Sequence, residues 1–251
     1  MIAALARVRR LQCWNPLISP LMDRSLGGSR IRSLAQQLRL YKAPTWSDDG
    51  EEERSGRIIS QIGVPESASP IISEMKLRPK RAAVLICLFE DDEGDIRVIL
   101  TKRSSNLSTH SGEVSLPGGK ADEADEDERM TAMREAREEI GLDPSLVNVV
   151  TLLEPFLSKH LLRVTPVVGI LSDKRAFKPV LNPDEVEAIF DCPLEMFLKD
   201  DKHRTENREW LGTSYTIHFF DYQRPPCFDE HRPDYDDIQR NKANFKQDPQ
   251  P

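Results

Sequence analysis

The sequence predicts an α/β domain, a mixed β-sheet flanked by helices, on three observations. Residues 81–89 (RAAVLICLF) form a continuous apolar run of strand length. Residues 95–103 (DIRVILTKR) alternate with a period of two, and the acidic stretch 90–94, ending in Gly94, reads as the hairpin turn joining the two strands. Residues 126–140 (EDERMTAMREAREEI) repeat instead at helical spacing and give one strong helix in the middle of the chain. Strands dominate around that helix, which favours a sheet covered by helices over a helical bundle.

At 251 residues the chain can bury one sizeable core, and the polar composition of its ends suggests a globular middle. Residues 1–42 carry Arg7, Arg9, Arg10, Arg24, Arg30, Arg32, Arg39 and Lys42 against a single acid, Asp23. An Arg-rich, acid-poor segment with broken apolar stretches is the composition of an organellar transit peptide. It predicts a mitochondrial address, with a plastid as the alternative, and removal of roughly the first forty residues. A disordered basic arm or an extra helix is the competing reading of the same residues. Residues 43–78 read as an extension and linker, marked by the acidic run 47–53. The core is expected over 79–222, with further strands at 146–156 and 161–171, a short helix at 184–190, and a strand pair about Gly212-Thr213 within 209–220. Residues 223–251 are polar and read as a disordered tail.

Several function classes are excluded by totals. A net charge of −7 argues against general affinity for nucleic acid, whose phosphates call for a basic surface. No apolar run approaches the length of a membrane span. Cys13, Cys87, Cys192 and Cys227 are scattered, so neither a disulfide framework nor a zinc site is expected.

The chemistry is concentrated in the central helix. Asp125 or Asp127 is placed to cap its start, and Gly141 to end it in a left-handed conformation. At 100° per residue Glu128, Thr131, Glu135, Glu138 and Glu139 share one face, while Met133, Ala136 and Ile140 share the other. Like charges at such spacing repel by roughly a few tenths of a kcal/mol per pair. A divalent cation relieves that repulsion, and hard oxygen ligands suit Mg²⁺ or Mn²⁺. An acidic helical face alone is more often simply solvated. Just upstream, however, Leu116-Pro117-Gly118-Gly119-Lys120 is either an ordinary turn or a backbone stripped of side chains so that it can approach a ligand.

Gly119, Glu126, Arg134, Glu135, Glu138, Glu139, Gly141 and Leu142 together resemble the Nudix box, a Gly, a Glu, seven residues and then REUxEExGU with U apolar. Six residues separate Gly119 from Glu126 where the usual box has five, which is similar to the coenzyme A subgroup. Leu100-Thr101-Lys102-Arg103-Ser104, Gly112 and Leu116-Pro117-Gly118-Gly119 resemble that subgroup's second signature. Ser108 stands where the signature has Arg, and Leu116 where it has Phe. Over residues 83–222 the chain is similar to plant mitochondrial members.

The resemblance implies a Nudix-type α/β/α sandwich and metal-dependent hydrolysis of coenzyme A to adenosine 3′,5′-bisphosphate and 4′-phosphopantetheine. It makes Glu135 and Glu139 the main metal ligands, with the Gly119 carbonyl beside them. Glu138 shares the site as a ligand or as the general base. Arg134 is expected to brace the loop through Glu126, with Gly141 ending the helix. Arg103, Gly112, Gly118 and Lys120 would face the substrate, and a homodimer is compatible with the family. Relatives continue past Tyr222 with a strand and a long apolar helix, whereas here Gln223-Arg224-Pro225-Pro226 follows directly. Loss of that helix would leave a sheet face bare. The alternative functions are therefore an inactive or regulatory binding protein, or a diphosphatase acting on ADP-ribose or an oxidised nucleotide.

Overall fold

The structure, a computed structural model, describes residues 29–41, 64–65, 79–108, 110–158, 160–199, 203–210 and 213–222. The first part of the expected transit peptide, most of the linker and the 223–251 tail lie outside the described residues.

Two α-helices and eleven strands are formed among the described residues: α1 (Ser29–Leu40), β1 (Val64–Pro65), β2 (Lys80–Glu90), β3 (Ile96–Arg103), β4 (Val114–Ser115), β5 (Gly118–Lys120), α2 (Glu128–Ile140), β6 (Val147–Leu152), β7 (Phe156–Leu157), β8 (Leu162–Leu171), β9 (Val186–Pro193), β10 (His203–Trp210) and β11 (Thr213–Phe220). The first nine strands make one mixed sheet with the path β1-β7-β8-β2-β3-β4. β5 also pairs with β2, β6 with β8 and β9 with β3. β2 and β8 run parallel, from Lys80 opposite Leu162 to Leu88 opposite Ile170. Strands in such a central position are covered on both faces, which is why residues 81–89 are apolar without alternation. β10 and β11 form a separate two-stranded sheet.

The pleat of β2 divides the core. Ala83, Leu85, Cys87 and Phe89 point to the face covered by α2, where they pack with Ala132, Met133, Ala136 and Ile140. Ile86 and Leu88 point to the opposite face and meet Leu34, Ala35 and Leu38 of α1, together with Leu194 and Phe197. The layers are thus helix, sheet, helix, as the Nudix-type fold class implies.

The second helical layer does not come from the expected quarter. α1 lies inside the segment read as transit peptide, yet Leu38 is 1% exposed and sits in the core. The backbone N–H of Ile31 donates to Glu90 Oε2 at 3.1 Å, and Arg30 donates to the carbonyl of Gly94 at 3.3 Å. Both contacts tie α1 to the β2–β3 hairpin. The face expected to be bare for want of a C-terminal helix therefore carries α1. The end of the described chain is fastened there as well, since the buried Arg97 donates both to Asp191 and, at 2.8 Å, to the hydroxyl of Tyr222.

Three elements differ from the sequence reading. Residues 184–190 are not a helix: from Val186 they form β9, an antiparallel partner of β3. Their alternation (Val186 and Ile189 buried, Glu187 exposed) fits either period over so short a span, and pairing with β3 decides it. The strand expected at 146–156 is interrupted at Leu153, Glu154 and Pro155, where proline cannot donate to a ladder. The pair expected within 209–220 begins earlier, at His203. Cys87 and Cys192 are buried free thiols, and burial pushes Cys87 up to about 12, which keeps it protonated and inert. No helix among the described residues is long and apolar enough to cross a membrane.

Candidate active site

The site assembles where β5 passes under α2. Asp127 caps the helix, its carboxylate accepting the N–H of Met130 at 2.9 Å, and Gly141 closes it with φ of 69°. β5 pairs with Ala82, Ala83 and Val84 of β2 and so lies against the sheet directly beneath the helix. Backbone demands glycine at Gly118, and a side chain at Gly119 would displace the Glu135 carboxyl. A Cβ on Gly118, whose φ is +149°, would fall 2.3 Å from the Ala83 carbonyl oxygen, and one on Gly119 would fall 2.6 Å from the Glu135 carboxyl. The stripped backbone lets the Gly118 N–H donate to Glu139 Oε2 at 3.0 Å.

Glu135, Glu139 and Glu185 bring one carboxylate oxygen each within 4.8 Å of one another. Glu185 was not found from the sequence. Its turn is docked on the end of α2: the N–H of Asn182 donates to the Glu139 carbonyl at 3.0 Å, and that of Val180 to the Ile140 carbonyl at 3.0 Å. Only this packing brings an acid 46 positions beyond Glu139 to the same point, and the local sequence NPDEVE carries no signal of it.

Charge at this point is poorly balanced. Burial pushes Glu139 up to about 7, helped by repulsion from Glu135 and Glu185 and opposed by the Gly118 N–H and Arg103. Burial likewise raises Glu135, against the pull of Arg134. Arg103 is the nearby cation facing Glu139, with Nη1 3.8 Å from Glu139 Oε1. Its Nε is buried without a hydrogen-bond partner among the described residues. Three convergent hard oxygens fit a divalent ion such as Mg²⁺ or Mn²⁺.

Arg134 is the brace, but not through Glu126. It donates to Asp125 at 3.0 Å, to the Lys120 carbonyl at 3.0 Å, to Glu135 at 3.1 Å and to Glu138 at 2.9 Å. Asp125 is buried because its turn closes inward, the Asp122 N–H donating to its carboxylate at 2.9 Å, while Glu126 is exposed. The box register named the neighbour of the residue that does the work. The Arg134 guanidinium lowers Asp125 to about 2. A carboxyl held that low supports the fold above its unfolded value near 4 and loses that support as pH falls toward 2. Asp125→Asn should therefore cost about 2 kcal/mol at pH 7 by urea unfolding, and Glu126→Gln should stay within about 0.5 kcal/mol.

Glu138 is not drawn into the carboxylate trio; its side chain is 53% exposed and holds Arg134. The Lys120 side chain and Gly112 lie at the rim, exposed, with Gly112 at φ of 68° and its N–H donating to the Arg103 carbonyl at 3.2 Å.

The NUDIX domain family matches residues 79–212. The chain is 68% identical over 174 residues to Nudix hydrolase 15, mitochondrial, of Arabidopsis thaliana, an alignment covering 69% of this chain and 61% of that relative. It is 53% identical over 251 residues to Nudix hydrolase 22, chloroplastic, of the same plant, covering 87% and 82%. A peroxisomal coenzyme A diphosphatase of Mus musculus is 39% identical over 132 residues, covering 53% and 55%. Among solved structures, an Ap4A hydrolase binary complex of C. elegans shares 21% identity at a TM-score of 0.38, over 46% of this chain and 81% of that one.

Proposed function

The chain belongs to the Nudix family, and on that premise we propose that it is a Mg²⁺- or Mn²⁺-dependent diphosphatase acting on coenzyme A or its derivatives. The observation that carries the reaction class is the convergence of the buried Glu139 with the half-buried Glu135 and Glu185 beside a glycine pair, with Arg103 next to Glu139. What supports coenzyme A is the signature running from Leu100 to Gly119 and the likeness to a relative so named.

In this reading Glu135, Glu139 and Glu185 hold the cation, with the Gly119 carbonyl on the adjoining backbone. The bound ion would neutralise the diphosphate and favour the ionised form of an attacking water. Arg103, whose guanidinium lies beside Glu139, supplies fixed positive charge to a phosphate. Glu138 takes the water's proton on Oε1, the oxygen that Arg134 does not hold. The water oxygen joins one phosphorus as the bridging bond breaks, which releases adenosine 3′,5′-bisphosphate and 4′-phosphopantetheine. Arg134 and Asp125 keep β5 and α2 in place throughout.

The full chain with Mg²⁺ is expected to convert coenzyme A at least tenfold faster, in kcat/KM, than ADP-ribose, with both products resolved by chromatography. A preference for ADP-ribose would overturn the substrate while leaving the site intact.

We further propose a mitochondrial address with processing before Ser29 rather than near residue 42, because α1 belongs to the folded core. Terminal sequencing of the imported protein should give a start upstream of Ser29. A mature start beyond Leu40 would contradict this, and delivery to plastids would correct the address alone.

A further inference from the structure

A second cluster of ligating side chains lies outside the carboxylate site. His110 Nε2 and His160 Nε2 face each other at 2.9 Å, with the rings edge to face. On its other side His110 Nδ1 meets Glu113 Oε2 at 2.7 Å. A carboxylate there fixes the proton on Nδ1 and leaves the Nε2 lone pair pointing at His160, the arrangement that carboxylates impose on metal-ligating histidines.

The cluster joins two segments that leave the same end of the sheet. His110 and Glu113 belong to the β3–β4 connection, where the Arg103 N–H donates to the Glu113 carbonyl at 2.9 Å. His160 belongs to the β7–β8 turn, just before Leu162 pairs with Lys80. β2 lies between β8 and β3, and near this end it also pairs with Gly118 and Gly119. The histidine pair therefore spans the end of the sheet that carries Arg103 and Gly119. Backbone strain is concentrated at the same contact. Among the described residues the two non-glycine positions with positive φ are His110 at 57° and Leu161, next to His160, at 55°. Such conformations cost free energy and persist where the surroundings hold them.

We propose that His110 and His160, oriented by Glu113, form a binding site for a divalent transition metal ion, distinct from the Mg²⁺ site, that clasps the β3–β4 loop to the β7–β8 turn. Imidazole nitrogen selects copper, nickel or zinc over magnesium. Two imidazoles on one tetrahedral ion at about 2.0–2.1 Å place their nitrogens about 3.3 Å apart. The observed 2.9 Å needs to open by only a few tenths of an ångström, and the exposed His160 ring can present its lone pair by changing tautomer.

The test uses the full chain with saturating Mg²⁺ and one equivalent of Cu²⁺, read by electron paramagnetic resonance. Nitrogen hyperfine structure from two imidazoles is expected. His110→Ala and His160→Ala should each remove it, and Glu113→Gln should weaken Cu²⁺ binding roughly 10- to 100-fold. The chain has five histidines, and His203 and His218 also meet, at 2.6 Å. A His203→Ala/His218→Ala variant should keep the signal, as should Glu139→Gln. Retention of activity with Mg²⁺ alone in His160→Ala shows that the variant is folded. A signal that survives His110→Ala/His160→Ala, or that vanishes with His203 and His218, overturns the proposal. So does oxygen-only ligation in the parent, which would make the contact a plain hydrogen bond.

Discussion

Glu139→Gln is expected to lower turnover by at least about two orders of magnitude and, in the same protein without metal, to raise stability at pH 8. The two effects have one cause. Glu139 is 2% exposed, and burial pushes its carboxyl up to about 7. The folded state therefore holds the proton more tightly than the unfolded chain, whose carboxyl titrates near 4.5. Stability is fully present below about 4.5, declines as pH rises through the window to about 7, and above it the buried charge costs on the order of 3 kcal/mol. Glutamine removes that cost along with the ligand. Urea melts at pH 5 and pH 8 without metal should show the variant gaining only at the higher pH. A variant that loses activity and stability together at pH 8 would mean that Glu139 is structural.

Leu38→Asp is expected to cost at least about 4 kcal/mol, enough to remove the cooperative transition of a marginal domain. Leu38 is 1% exposed between α1 and the sheet, so the change both deletes apolar burial and places a charge in the core. Leu40, two residues on in the same helix, is 81% exposed, and Leu40→Asp should stay within about 0.5 kcal/mol. The parent should bind little hydrophobic dye, and Leu38→Asp should bind it strongly. Equal behaviour of the two variants would show that α1 does not cover the sheet in solution. Assays on a chain begun at Pro79 are expected to fail for the same reason, since they discard this layer.

The sequence disclosed most where a local rule and a tertiary demand coincide. The apolar run at β2, the alternation in β3, the caps of α2 at Asp127 and Gly141, and the glycine pair are each fixed by neighbours along the chain. Glu135 and Glu139 were legible because one helical turn brings them together. Glu185 was not, because it reaches them only through β9 pairing with β3 and a turn docked on the end of α2. Asp125 was overshadowed by Glu126, since the direction in which a turn points its side chains is set by hydrogen bonds that the motif register does not encode. α1 was misjudged for another reason. Arginine-rich amphipathic residues serve equally an import signal and a helix with one buried stripe, and composition does not separate the two.

The most direct test of the site is Mn²⁺ binding, followed through the resonance of the free ion, in the parent and in Glu135→Gln, Glu139→Gln and Glu185→Gln. The three carboxylates converge on one point, so each substitution should weaken binding at least about tenfold, with Glu185 no less essential than the two helix residues. Parent-like Mn²⁺ affinity in Glu185→Gln together with Glu139→Gln would contradict a cation site at this point.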